Sequence, residues 1–599
     1  MREDHRDDDA GQPGADAPAG QATGPARQPD DTAAQPGSTP AQPDTAPVRG
    51  RAGRPGPAPR TPAARRLRSA AAAVGGLAAA AVLVAAGGGL IAADRLAPQG
   101  PGSRQLQAPL TAVPAGSSVG ICPGPARLLQ GTPVGTDPQF SPESATARSA
   151  VTAVVLSSGN GTLPGSRLAA LGGRTLAELA KPVPPASAPA PSATVAGPAA
   201  SAPVPTAAVE PQRGVQSATV LSADALANQQ PSAAGLLSYT AADGDLRGAA
   251  AAACQRPSND QWLVGANTAL GRTAVLHLSN ASGTPATVSL DLFGAKGTIQ
   301  APGSRGLLVA PGKTRSIILA GLAPGQDRLS VRVRSTGGPV SAIIQQSVLR
   351  GLTPGGVDFI APGAAPAARQ VISGIDIQNP AAVRALGGKT GFADATPGLQ
   401  ITVPGAADAV VEVKLFGRDG QKPLPGGGVV TAKAGAVTEI PLAGVPAGHY
   451  TVSATSDVSF AAAARITRGL DAGEAADFAW APSSGRLGSQ HVVPMPQKGE
   501  RFLVFGAPEG RARISYTPIT ADGKVRAAAT ADIAGGTTAS VRVPDDVGGS
   551  PVAGYLVSAS GDAAYGAVLL QQEGRADIAS VAVTPGAAGS QEVPVSLGY

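Results

Sequence analysis

The residues that could carry chemistry are few. Beyond the first hundred positions the only imidazoles are His277, His449 and His491, so any serine or cysteine nucleophile would depend on one of them. Gly116-Ser117-Ser118-Val119-Gly120 has the spacing of a nucleophile elbow, yet Pro114 stands where the feeding strand belongs. None of the three histidines has a carboxylate at recognisable spacing, and no H-E-x-x-H pair exists for zinc. His277 falls within the alternating run Ala274 to Leu278 and reads as a strand histidine. His449 sits in a turn before Tyr450, and His491 in a linker before Val492.

Phosphate chemistry fares no better. Gly306 to Thr314 (GLLVAPGKT) has five residues between its outer glycines, where a phosphate-binding loop has four. It leads into a strand, Ser316 to Leu319, rather than into a helix N-terminus. Gly388-Lys389-Thr390 lacks the upstream glycine. Gly159-Asn160-Gly161 with Gly165 follows an apolar run and precedes a mildly helical stretch to Ala180, without the second strand and acidic residue of a dinucleotide fold. All three read as turns, and no cofactor is expected. Glycosidase carboxylates can lie far apart in sequence, so spacing cannot exclude them. Sugar sites favour aromatic platforms, however, and only Trp262 and Trp480 are available; these two are the candidate ligand-stacking residues, with packing between sandwiches as the alternative. The sequons at Asn160 and Asn280 are expected to go unused in a bacterial chain. Catalytic, cofactor-binding and metal-ligating residues are therefore all given as none.

Whatever does the work must be positioned by an unusual composition. Of 599 residues, 79 are Gly and 57 Pro; aromatics make up 3%, charged residues 15% and hydrophobic residues 43%. Such a chain is neither uniformly disordered nor a coiled coil, and suits small β domains joined by turns. From Ser69 to Ala93 no residue is charged; as a helix this run would rise roughly 37 Å, enough for a hydrocarbon core of about 30 Å. Arginines from Arg49 to Arg68 precede it, which predicts a cytoplasmic N-terminus and an exported remainder. A cleaved signal peptide is the competing reading. Gly76 and Ala80 are spaced for close helix packing, leaving the oligomeric state open. Net charge +6 spread over such a chain is no nucleic-acid footprint. Cys122 and Cys254 are the only cysteines; in an oxidising compartment they are expected to form one disulfide.

Internal repetition gives the layout. Leu292-Phe293-Gly294 recurs as Leu415-Phe416-Gly417, and Leu319-Ala320-Gly321 as Leu442-Ala443-Gly444, both at an offset of 123. Arg350-Gly351-Leu352 returns at Arg468-Gly469-Leu470, and Ser453-Ala454 has a looser echo at Ser558-Ala559. Val288, Leu290 and Leu292 alternate with polar residues, as do Val411, Val413 and Leu415, the pattern of half-buried antiparallel strands. Turns fall at Lys296-Gly297, Asp419-Gly420 and Asp522-Gly523. The expected fold class is all-β: tandem immunoglobulin-like sandwiches behind one transmembrane helix and a disordered tail. The expected boundaries are 1–67 tail, 68–94 signal-anchor, 95–255 an irregular N-terminal β unit with a Pro/Ala insert at 182–212, and sandwiches at 256–365, 366–484 and 485–599.

The segment Cys122 to Pro125, the later Cys254, the stretch Gln261 to Asn280, the Leu-Phe-Gly turn and the loop Leu319 to Gly325 together resemble the actinobacterial domain-of-unknown-function 5719 family. The resemblance implies a β-rich, membrane-anchored or secreted envelope protein and supplies no catalytic residue. The functional expectation is a single-pass, extracytoplasmic, non-enzymatic binding or scaffold module, with cell-envelope polysaccharide or a membrane or envelope protein as partner. Two alternatives stay open: an accessory protein to an envelope polysaccharide hydrolase or transferase, and a signalling protein that acts through its tail.

Overall fold

The alternating runs form antiparallel strands with their apolar side inward. In Ala286–Gly294, Val288, Leu290 and Leu292 are buried while Thr287 is exposed, and Ala409–Gly417 repeats this with Val411, Val413 and Leu415. A computed structural model describes residues 110–112, 115–132, 141–184, 205–226, 229–469, 476–586 and 592–594. The tail 1–67, the expected span 68–94 with Gly76 and Ala80, and residues 185–204 of the Pro/Ala insert lie outside the described residues. Among the described residues, no helix is long and apolar enough to cross a membrane.

One pairing scheme recurs four times within 107–599. In residues 260–360 (unit 1), counted without the short strand Leu307–Val309, one sheet orders its strands first–sixth–third–fourth and the other fifth–second–seventh–eighth. Residues 367–482 (unit 2), without Val429–Ala432, and 491–582 (unit 3), without Asp546–Val547, follow the same order. In unit 2 the sixth and seventh strands are one continuous strand, Gly448–Arg468, which crosses from one sheet to the other. Residues 118–253, read as irregular from sequence, carry the scheme as well and are called the N-terminal unit. The stretch up to Ala180 is not helical. It is a hairpin, Ser166–Ala170 with Thr175–Ala180, because Gly173 at φ 99° closes a tight turn and the two strands bury Leu168 and Ala177 in the core. The described helix of unit 2, Pro380–Gly387, was not foreseen; Asn379 caps it by accepting from the Ala381 N–H, and Pro380 occupies its first turn.

The units share cores in a closed cycle. Phe478, Trp480 and Ala463 of unit 2 join the core of unit 1. Val504, Leu569 and Ile578 of unit 3 join that of unit 2. Leu236 and Ala251 of the N-terminal unit join that of unit 3, and Ile343, Val357 and Phe359 of unit 1 join that of the N-terminal unit. Each borrowed residue lies on a fifth–second–seventh–eighth sheet, so the part of that sheet around its seventh and eighth strands is covered on both faces, while its fifth strand, as in Lys313–Ile318, stays exposed. A doubly covered strand such as Gly248–Ala253 (GAAAAA) is accordingly apolar or small throughout rather than alternating.

Candidate functional site: the axis of the ring

The four eighth strands, Gly248–Ala253, Thr353–Ile360, Asp477–Pro482 and Ile578–Ala582, each pack against two of the others and so line a common axis. Each is the edge of its sheet, and a bare edge would recruit foreign strands. Here one side chain satisfies several edges at once. Asp477 accepts from Ala249 N (2.8 Å), Ile578 N (3.0 Å), Val357 N (3.1 Å) and Phe478 N (3.0 Å), one donor from every unit. Asp358 accepts from Trp480 N at 2.7 Å. Burial raises the Asp477 carboxyl well above the usual range, against the pull of those donors, and pushes Asp358 up to about 8. Buried acids with displaced pKa values often mark catalysis. In this ring both Asp477 oxygens and Oδ2 of Asp358 accept from backbone N–H groups and hold strand edges, while Asp358 Oδ1 is buried without a partner among the described residues.

At the other end of the axis the strands open into a cup of about 450 Å³. All four units contribute wall, among them Ala253, Ala361, Pro482 and Val583, together with Val119 and Leu221 from the N-terminal unit. Only two lining residues are charged. Asp260 is held by Arg332, whose Nε donates at 2.9 Å, whereas Arg256 makes one long contact, donating from Nη2 to Gly586 O at 3.5 Å. Desolvation pulls the Arg256 guanidinium below its ordinary value. Much of the polar wall is already engaged, while Gln255 Nε2 and Ser484 Oγ are buried without a partner among the described residues. Gln261 donates to Val340 O at 2.8 Å and accepts from Ala342 N at 3.1 Å; Ser580 Oγ donates to Gly374 O at 3.1 Å; Gln255 Oε1 accepts from Ser341 Oγ at 2.9 Å.

Cys122 and Cys254 are bonded to each other, and Cys254 lies in the cup wall. The bond ties the first strand of the N-terminal unit to the end of its eighth strand. It passes so close to Gly235 that a Cβ there would lie 2.4 Å from the Cys254 sulfur. Trp262 and Trp480 are each 4% exposed and both belong to the core of unit 1. Trp262 also backs the cup, beside Phe293 at 5.4 Å, with the Arg332 guanidinium 5.3 Å above its ring. Trp480 packs on the backbone of Gly265, at φ 125°, where a Cβ would come within 2.4 Å of the indole. The two indoles serve the core and the contact between units 1 and 2.

The histidines all have partners within the protein. His277 pairs with Ser316 Oγ at 2.9 Å on neighbouring strands, and burial lowers its pKa to about 4. His449 lies in the strand Gly448–Arg468 rather than in a turn; it pairs with Ser540 Oγ at 2.7 Å, joining units 2 and 3, and its Nε2 stands 3.6 Å from the Asp376 carboxylate, a neighbour far away in sequence. His491 begins a buried strand instead of lying in a linker; its Nδ1 pairs with Thr584 O and its Nε2 accepts from Gly488 N, both at 2.8 Å. Gly306 to Thr314 holds the strand Leu307–Val309, the turn Ala310 to Gly312 and the start of the strand Lys313–Ile318, with Gly312 N donating to Asn280 O. Ser118 opens the first strand of the N-terminal unit and borders the cup. Among the described residues no group of His, Cys, Asp or Glu is arranged to hold a metal ion.

Sequence reading missed Asp358, Asp477 and Arg256. The recurring dipeptides Asp358-Phe359, Asp477-Phe478 and Asp577-Ile578 were a usable signal, since an acid beside a large apolar residue opens or enters three of the four eighth strands.

Residues 209–544, more than half of the chain, match the family of unknown function DUF5719. The chain belongs to this family. No curated protein and no solved structure matches it. The DUF5719 segment begins in the fifth strand of the N-terminal unit and contains three of the four axial strands; the fourth, Ile578–Ala582, follows it.

Proposed function

We propose that this DUF5719 member is a single-pass, extracytoplasmic protein anchored by residues 68–94, and that its ring is a non-enzymatic binding and scaffold module of the cell envelope. The partner is envelope polysaccharide or another envelope or membrane protein, and a ligand seats in the cup. The observation that carries this reading is the cup itself. It is a concave, largely apolar space in the size range of small-molecule sites, preformed by four units rather than by one mobile loop. The displaced carboxyls nearby cap strand edges, which favours binding over acid–base chemistry. Each unit is read as a variant of the immunoglobulin-like sandwich in which the first strand lies beside the sixth, on the sheet that also holds the third.

Co-sedimentation of the full-length protein with protein-stripped cell wall, across a salt series, tests this reading. Salt-resistant pelleting that a bulky cup substitution abolishes supports it. Turnover of an envelope substrate by the purified protein overturns it.

A further inference from the structure

The cup differs from a sugar site in how its polar groups are used. A saccharide presents a hydroxyl at nearly every carbon, and each must find a partner once buried. Gln261, Ser580 and the Gln255 carbonyl oxygen are already bonded to protein atoms, and Asp260 is neutralised by Arg332. Only Gln255 Nε2 and Ser484 Oγ are buried in the wall without a partner among the described residues, too few for the hydroxyls of a saccharide. The rest of what the wall offers an occupant is mostly Ala, Val, Pro and Leu surface, with one cation at its edge. Among the described residues, Arg256, at the exposed rim of the cup, has no carboxylate within ion-pair distance. A guanidinium without an acid is matched by an anion, and the apolar wall by a hydrocarbon chain.

We propose that the cup binds a single-chain anionic amphiphile, its hydrocarbon along the walls at Ala253, Ala361 and Val583 and its anionic head on Arg256 beside the unpartnered Gln255 Nε2. This rests on the cup being the binding site proposed above.

The test uses full-length, delipidated protein and 9,10-dibromostearate, whose bromines quench a nearby indole; Trp262 backs the cup. Saturable quenching at one equivalent is expected. Ala361→Phe, which narrows the cup, should abolish it. Arg256→Gln should weaken the acid about tenfold, the size of one lost charge-assisted contact, while leaving binding of the uncharged methyl ester unchanged. If Ala361→Phe fails to fold by circular dichroism, Ala582→Leu on another wall replaces it. Quenching that never saturates, or that persists in a folded cup-filling variant, overturns the proposal. If the acid does not quench while Ala361→Phe still abolishes cell-wall pelleting, the binding reading stands and the amphiphile falls.

Discussion

The two ends of the ring axis are built from the same four strands and do opposite things. At one end four backbone donors converge on Asp477 and no room is left. At the other the strands diverge around about 450 Å³, and among the described residues the nearest cation, Arg256, lacks an acid. The closed end concentrates polar satisfaction in one side chain, so it should govern stability. At the open end no single side chain ties the units together, so its surface is free to change without loosening the ring.

The largest effect should follow from Asp477→Ala. It strands four N–H groups, each costing about 1–3 kcal/mol when buried and unpaired, so a loss of about 4 kcal/mol or more is expected in denaturant unfolding. Ala361→Phe at the open end should cost less than about 1 kcal/mol, because the half-buried Ala361 faces empty space. Equal losses at the two ends would erase the contrast. Next in size is Cys122→Ser with Cys254→Ser, which frees a 132-residue separation and should cost about 3–4 kcal/mol. Because Cys254 lies in the cup wall, this pair should also weaken cup binding, which reduction of the wild type would reproduce.

Asp358 supplies a pH-dependent test. Its folded pKa of about 8 lies above the unfolded value, so its contribution is fully present below about pH 4 and is lost as pH rises toward 8. Asp358→Asn should flatten the fall of unfolding free energy between pH 4 and 8, measured by chemical denaturation at each pH. An unchanged slope would place the titrating group elsewhere. The smallest stability effect belongs to Arg256→Gln, expected within about 0.5 kcal/mol, since the guanidinium has no ion pair to lose.

How far the sequence disclosed this follows from which faces the strands present. Strands covered on one side, such as Ala286–Gly294 and Ala409–Gly417, alternate, and their hairpin glycines and repeat offsets were legible. Strands covered on both sides, such as Gly248–Ala253 and the second half of Gly448–Arg468, show no period of two. The axis built from them was therefore invisible, and with it the cup. The hairpin at 166–180 was misread because Leu168 to Ala180 is rich in helix formers; the Gly172-Gly173 turn and burial against the core outweighed that weak preference. The N-terminal unit hid its kinship behind the Pro/Ala insert, which separates its fourth and fifth strands. Both tryptophans were found, yet a large aromatic at a unit boundary reads the same in sequence whether it meets a ligand or a neighbouring core.

The central claim is that four sheet pairs close into a ring around one carboxylate, and amide hydrogen exchange tests it most directly. In the wild type the amides of Ala249, Val357, Phe478 and Ile578 should share strong protection. In Asp477→Ala all four should lose protection together, although three lie in units far from residue 477 in sequence. Loss confined to Phe478, with Ala249, Val357 and Ile578 still protected, would contradict the ring.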